Sequence, residues 1–456
     1  MVTNLKGKKP NILFLMSDEH RADIAGFAGN KIVRTPVLDK LAAEAVLFQN
    51  AYTPSPICIP ARQCMMAGQF PRHCGVERYG QDLTPGYMTF ARRLAQYGYQ
   101  TVVSGKLHHM GVDQMQGWTR RISGDMHVDE RFVTGRLDQE QQVQEKQPKR
   151  GNLQKWSEAK EIARAGVGRG PCISHDEYAV AGAKQFIEDY FNSPYYDREK
   201  TNPLLLKVSL LQPHYPYLTS EEKFNYYLNR VEPYMDEQVS NHPFLQQRQV
   251  QPGVDITKRE VRRATAAYYG MIETIDDFYG QIITALAQVG QNIDDWIIIY
   301  TSDHGEMLGQ HGIWEKQKFY EASVRVPLFI RYPKHFKASK VDENVNLCDL
   351  FATLCDLSDS VVPEGLDSRS LVPLMAKADE KSAVDWTNES ISQFGGTNLM
   401  IKYDHLKYQY YGEQMPEVLF DLAVDSGERN NVIDEPKYSA ALQQFRNRAK
   451  ELQFGL

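Results

Sequence analysis

Short unbroken apolar runs recur along the chain: NILFLM (11–16), TVVSG (101–105), LLLKVSLL (204–211), WIIIYT (296–301) and VPLFIRY (326–332). Runs of this length without polar alternation read as strands buried on both faces, as in a parallel sheet. Between them lie stretches of helical pattern, TPVLDKLAAEAVLF (35–48) and the longer VRRATAAYYGMIETIDDFYGQIITALAQVG (261–290). The second stops at Gly290, a natural helix end, with a strand close behind. Strands alternating with helices predict an α/β fold: a large, mostly parallel, doubly wound sheet with flanking helices. Towards the C-terminus the pattern changes. NLMIKYDHLKYQYYG (398–412) and EVLFDL (417–422) read as antiparallel strands, and KYSAALQQFRNRAKELQ (437–453) as a last helix. The expected division is a large main domain over 1–375 and a small antiparallel α+β subdomain over 376–456.

The residues after the strands carry ionisable groups. NILFLM runs into Ser17, Asp18, Glu19 and His20; TVVSG into Lys106, Leu107, His108 and His109; LLLKVSLL into Gln212, Pro213 and His214; WIIIYT into Ser302, Asp303, His304 and Gly305. In open α/β sheets, ligands bind outside the carboxyl ends of the strands. A single charge there reads as a solvated loop residue, but four such ends together predict one shared site. Asp18, Glu19, Asp303 and His304 form two polar pairs whose oxygens suit one hard divalent cation. Calcium is the first choice and the imidazole keeps manganese open; zinc is disfavoured because no thiolate or multi-histidine spacing is present.

Composition adds limits. The 456 residues, 42% hydrophobic and 24% charged with a net charge of −6, describe an ordinary globular chain. Nothing in the charge points to nucleic acid or an anionic membrane. No segment reaches the ~18 apolar residues of a membrane span. The N-terminal lysines are followed by only Ile12 to Met16 before acidic residues, too short for a signal peptide. The expected location is the cytoplasm, or the periplasm if a leader has been removed. Two polar stretches, 126–170 and 219–260, read as insertions, of the kind that serve as lids, interfaces or mobile segments. Together with the C-terminal helix they offer a surface for a homo-oligomer. The six cysteines lack metal-ribbon spacing and read as reduced thiols.

One of these, Cys58, stands in PSPICIPARQCMMAG (54–68). By itself the frame allows a buried thiol, a disulfide half, a metal ligand or a reactive centre. The run CIPAR followed by Gly68 resembles the sulfatase signature, in which the cysteine of C-x-P-x-R is oxidised to formylglycine. The resemblance extends along the chain through SDE (17–19), GKLHHMG (105–111), PHYPY (213–217), the segment 301–330 and LFDLAVDSGERNN (419–431). It differs at Ala61, where many members have serine. It differs also at Asp303-His304, which looks more like choline sulfatases and phosphonate monoester hydrolases than like the Asp-Asn of many carbohydrate sulfatases.

The resemblance implies an alkaline phosphatase-like fold, a metal held by Asp18, Glu19, Asp303, His304 and modified Cys58, and hydrolysis of a small anionic sulfate ester. It implies a maturation enzyme that makes the formylglycine. One hydroxyl of the hydrated aldehyde would attack sulfur as a covalent nucleophile. Arg62 would anchor the diol or the metal carboxylates, and Lys106 and Lys316 would hold the sulfate. His214 or Lys316 would protonate the alcohol, and His108 would assist collapse of the hemiacetal that expels sulfate. His108 is preferred to His109 on family spacing. Lys318 reads as a surface lysine, His20, Asp23, His73 and His311 as solvated or structural, and Cys64 and Cys74 as buried thiols.

The preferred substrate is a carbohydrate O-sulfate. The alternatives are choline sulfate, a phosphonate monoester or phosphodiester on the same site, and a non-catalytic binding protein with unmodified Cys58.

Overall fold

The computed structural model describes residues 9–125, 158–235, 237, 240–376 and 385–455. The first of the expected insertions therefore lies largely outside the described residues. The main sheet is built from β1 (Asn11–Asp18), β2 (Val46–Tyr52), β3 (Gln100–Gly105) and β4 (Arg120–Arg121). A short pair, β5 (Gly166–Val167) and β7 (Leu218–Thr219), stands apart from it, flanking β6 (Leu204–Pro213) in the chain. The main sheet is completed by β6, β8 (Trp296–Ser302), β9 (Arg325–Val326), β10 (Leu328–Arg331) and β11 (Ser339–Asn346). Its nine strands run in the order β11-β2-β10-β8-β1-β6-β3-β4, with β9 beside β2.

β1 lies between β8 and β6 and is parallel to both. It is buried along its length because both faces are covered. Leu13 and Leu15 pack with the helices Pro171–Phe191 and Lys258–Gln288 on one face. Ile12, Phe14 and Met16 pack on the other against Met65, Met66, Phe90 and Phe351. The long helix opens with a capping box between Thr257 and Glu260, which satisfies two free N–H groups at its start. It ends at Gln288, two residues before Gly290 takes φ 74°.

Two elements depart from the sequence expectation. VPLFIRY supplies β10, which is antiparallel to both β8 and β2. After β8 the chain returns from the same end of the sheet without a crossover, and a strand that re-enters that way must run backwards. The helix expected over 35–48 stops at Ala42, and Val46–Phe48 begin β2. Pairing with β10 and β11 claims those apolar residues for the sheet core.

At the C-terminal end, β12 (Glu389–Phe394), β13 (Asn398–Tyr403), β14 (Leu406–Tyr410) and β15 (Val418–Asp421) form an antiparallel sheet in chain order. The helix Ser439–Glu451 covers it, with Phe445 stacked on Tyr408 at 5.5 Å. Lys407, fully buried, ties this sheet to the catalytic side through Glu321 (2.9 Å) and Glu428 (2.6 Å). All six cysteines are free and buried. Among the described residues no helix is long and apolar enough to cross a membrane.

Candidate active site at the strand ends

The parallel register of β1 and β8 sets Ser17 beside Ser302, so the residues that follow emerge side by side. Glu19 leaves β1 with φ 66°, and its N–H donates to Asp303 Oδ1 (3.0 Å). The next N–H, of His20, donates to Ser302 Oγ (2.8 Å). This crossed bonding locks the two acidic loops together. Cys58 is the first residue of the helix Cys58–Ala67 and faces them, its Sγ 3.1 Å from His304 Nε2 and 3.8 Å from Asp18 Oδ1. His304 Nδ1 lies 3.0 Å from the Gly305 carbonyl; a proton held there leaves Nε2 as the lone pair aimed at the centre.

Arg62 stands one helical turn beyond Cys58 and points back under it. Its guanidinium donates to Asp303 Oδ2 (2.7 Å), Asp18 Oδ2 (2.9 Å), Ser209 Oγ (2.9 Å) and the Lys106 carbonyl (3.1 Å). It is fully buried and fixes the carboxylates of two strands, so its donors are engaged below the cavity. Lys106 Nζ lies 2.6 Å from Asp18 Oδ2. Burial works against the Asp18 charge, but Lys106 and Arg62 outweigh it and hold the carboxyl well below the usual carboxylate range. On the other flank, Lys316 Nζ lies 2.7 Å from Glu19 Oε2 and His214 Nε2 3.4 Å from the same oxygen. Burial pushes Glu19 up to about 8 despite Lys316, with Glu306 adding to the rise.

Burial lowers His214 well below the ordinary imidazole range, and Lys316 adds to the effect. The same holds for His108, where burial is joined by Lys106. Both imidazoles are therefore neutral near pH 7. Burial, with Asp18 beside it, pushes the Cys58 thiol up to about 12, so the unmodified side chain is a weak nucleophile at neutral pH.

The donor set fits a divalent cation. Asp18, Cys58, Asp303 and His304 offer ligand atoms within 4.8 Å of one another. Glu19 falls in a neighbouring group with Asp18 and His214, and its buried Oε1 has no hydrogen-bond partner among the described residues. Carboxylates with one imidazole, framed by Arg62 and Lys106, match a hard or borderline ion and not a structural zinc site.

Above this floor opens a cavity of ≈ 500 Å³ whose wall includes Cys58, Lys106, His108, His214 and Lys316. His109 is turned away, its Nδ1 3.7 Å from Asp82. His20 is bonded to Tyr300 and the Ile24 carbonyl, Asp23 is paired with Arg21 and His73 with Asp367, and His311 stacks on Tyr320. Lys318 is not a surface lysine. It is buried, donates to the Phe244 carbonyl (2.5 Å) and sits over that ring, because the loop that carries Lys316 is covered by the 240–250 segment.

Sequence reasoning missed other residues of the wall: Tyr79, Asp125, Tyr215, Arg248, Glu315 and Gln317. Tyr215 and the 315–317 segment lie inside stretches whose pattern already drew notice, and Arg248 inside the polar stretch 219–260. Tyr79 and Asp125 come from loops with no distinguishing pattern. The Gln317 N–H donates to the Pro56 carbonyl (3.0 Å), which clamps the lysine loop to the segment leading into Cys58.

Comparison with known proteins agrees with this geometry. The sulfatase family model matches residues 10–360, and a model described as N-sulphoglucosamine sulphohydrolase, C-terminal, matches residues 309–454. A choline-sulfatase of Rhizobium meliloti (strain 1021) is 30% identical over 442 residues, covering 94% of this chain and 83% of that protein. The crystal structure of the phosphonate monoester hydrolase of Agrobacterium radiobacter superposes with a TM-score of 0.79 at 22% identity, covering 98% of this chain and 95% of that one. A structure solved in complex with its substrate D-glucosamine-2-N,6-O-disulfate superposes with a TM-score of 0.74 at 20% identity, covering 98% of both chains.

Proposed function

The chain belongs to the sulfatase family and is a sulfuric ester hydrolase, and from that premise we propose that it removes sulfate from a carbohydrate O-sulfate with a formylglycine made from Cys58. The observation that carries the carbohydrate assignment is the charge of the cavity wall. Lys106, Lys316 and Arg248 face it, against two wall carboxyls, Asp125 and Glu315. Asp125 accepts from the N–H groups of Leu107 (2.8 Å) and His108 (2.9 Å) and from Arg121 (2.5 Å). Burial raises Glu315 well above the usual range and so keeps it neutral. A quaternary ammonium such as choline calls for an aromatic or anionic surround; Tyr79 and Tyr215 stand on this wall, but its excess of positive charge favours a hydroxylated or anionic alcohol. The relative solved with a glucosamine disulfate and the match to the N-sulphoglucosamine sulphohydrolase C-terminal model support the same choice.

A divalent ion, calcium first and manganese second, would be held by Asp18, Asp303, His304 and modified Cys58 with Glu19 adjacent, and would supply Lewis-acid polarisation of the sulfate and a lowered hydroxyl pKa. Formylglycine would supply a geminal diol, whose second hydroxyl lets sulfate leave without water having to attack an ester. The chain's own residues do the rest. Arg62 fixes Asp18 and Asp303 and, being fully engaged, positions the floor. Lys106 and Lys316 meet the sulfate oxygens where negative charge develops. Lys316 and neutral His214 converge on Glu19 Oε2, and Lys316, which stays protonated, is the one placed to give the departing alkoxide its proton. Neutral His108 faces the cavity with Nδ1 lacking a partner among the described residues and is suited to take a proton from the second hydroxyl.

The test is a desulfation screen of protein from a host with the maturation system, with mass spectrometry across residues 55–72 to establish formylglycine. Sulfated sugars are expected to be turned over faster than choline sulfate and phenyl phosphonate. Faster hydrolysis of choline sulfate would reassign the alcohol, faster phosphonate hydrolysis the reaction. Fully converted protein that cleaves no sulfate ester would remove the proposal altogether.

A further inference from the structure

The cavity is larger than its catalytic floor needs. At about 30 Å³ for each water-sized group, its ≈ 500 Å³ holds about 17 non-hydrogen atoms. A sulfate ester group takes five, leaving room for roughly one hexose ring. Two tyrosines stand on the wall around that space. Tyr215 is already engaged: its ring lies against His214 with centroids 4.0 Å apart, and Lys316 Nζ stands 5.2 Å from its centre. Tyr79 is 58% exposed. Among the described residues its ring meets only the ring of His108, at 84° and 5.7 Å, and its hydroxyl has no hydrogen-bond partner.

An exposed tyrosine is ordinary by itself, but this one is presented to the cavity by a turn held on several sides. Gln81 Oε1 accepts from the N–H groups of Glu77 (2.8 Å) and Arg78 (2.7 Å), which closes the turn on itself. Gly80, at φ 88°, bends the chain directly after the tyrosine. The Glu77 carbonyl accepts from the Gly395 N–H (3.0 Å), and Arg78 Nε donates to the Gly395 carbonyl (3.1 Å). These bonds fix the turn to the connection between β12 and β13. On the inner side Gln63, from the helix that begins at Cys58, donates to the carbonyls of Gln81 (3.5 Å) and His108 (3.4 Å). A ring whose backbone is held in this way loses little freedom on meeting a ligand.

We infer that Tyr79 binds the alcohol half of the substrate, its ring lying against the C–H face of the sugar whose ester is cleaved. A hexose turns an apolar, weakly positive face of C–H groups towards a neighbour, and the face of an aromatic ring is negative and apolar. The position suits the role: Tyr79 stands beside His108, whereas the sulfate is met at the floor by Lys106 and Lys316. This rests on the carbohydrate sulfate assignment above and adds the residue that reads the sugar.

The test uses the full chain, carrying formylglycine and loaded with metal, as wild type, Tyr79→Phe and Tyr79→Leu. Two quantities are compared: kcat/KM for the sulfated sugar cleaved fastest in the screen above, and the inhibition constant of inorganic sulfate, which occupies the floor without an alcohol. Tyr79→Leu is expected to lower kcat/KM by about fivefold to thirtyfold, mainly through KM, the scale of covering one face of a ring. Sulfate inhibition changes by much less. Tyr79→Phe, which keeps the ring, retains most of the wild-type value. No loss in Tyr79→Leu, an equal weakening of sulfate inhibition, or a loss in Tyr79→Phe as large as in Tyr79→Leu overturns the proposal, the last by assigning the contact to the hydroxyl. If fully converted wild type cleaves no sulfated sugar, the carbohydrate assignment fails. Calorimetry then decides the ring by itself, on metal-loaded wild type and Tyr79→Leu made in a host without the maturation system, where Cys58 stays a thiol. Glucose 6-sulfate bound more weakly by the variant upholds the sugar face, and equal or absent binding removes it. Weaker binding of choline sulfate alone would assign the ring to a quaternary ammonium and overturn the proposal.

Discussion

Single residues in this protein are set by what surrounds them. Lys207 lies in the middle of β6, fully buried, with its Nζ 5.0 Å from the Phe14 ring centroid and no hydrogen-bond partner among the described residues. Burial, with Arg62 nearby, lowers its pKa well below the ordinary lysine range, so the folded chain carries it neutral. The unfolded chain protonates it below pH 10.5. The unfolded state thus binds one more proton, and stability lost to this group grows as pH falls below 10.5. Lys207→Met fills the same space without a polar end and is expected to raise stability by about 1–3 kcal/mol at pH 7. Denaturant midpoints for both proteins at pH 7 and pH 10 check this, the gain shrinking at the higher pH. A gain that does not depend on pH would mean that Lys207 is charged in the fold.

At the scale of elements, the C-terminal sheet is held on the catalytic side by an ionic knot. Lys407 of β14 meets Glu321 and Glu428, and the Glu321 N–H donates to Glu428 (2.6 Å). Tyr52 of β2 donates to the same Glu321 (3.0 Å). Removing one member leaves buried carboxyls without their cation, and Lys407→Ala is expected to cost about 3–5 kcal/mol. Amide exchange should quicken across β13–β15 more than in β1 or β8. Uniform loss of protection would show that the two sheets unfold only as one unit. Much of this level was legible beforehand. The runs that became β1, β3, β6 and β8 and the long helix announced themselves by unbroken apolarity or helical period. β11 and β12 did not: SKVDENVN and ESISQF are polar, and their pairing comes from neighbours far along the chain.

Across the whole molecule, the site joins the ends of β1 and β8 to the helix that starts at Cys58. A cation bound there links segments that unfolding would separate, so it stabilises the folded chain by mass action. With calcium or manganese at 100 times its dissociation constant, unfolding free energy is expected to rise by about 2.7 kcal/mol over protein in EDTA. Arg62 and Lys106 already neutralise Asp18 and Asp303, so the stripped protein should remain folded. Asp303→Asn should abolish most of the shift. Thermal unfolding with and without metal checks both statements, and an unchanged melting temperature in every metal tested would argue against a metal centre.

By itself the sequence determined the alternation of strand and helix, the acids, lysines and histidines delivered to one edge of the sheet, and the signature around Cys58. These are local properties, written in period, length and residue type. Only the tertiary structure decided that Arg62 is engaged beneath the cavity, that Lys318 is buried while Lys316 faces the site, and that β10 runs backwards. It also decided that Tyr79, from a loop without pattern, and Arg248, from the polar stretch 219–260, share a wall with Cys58. A loop residue's direction depends on contacts made with segments remote in the chain, and periodicity carries no record of them.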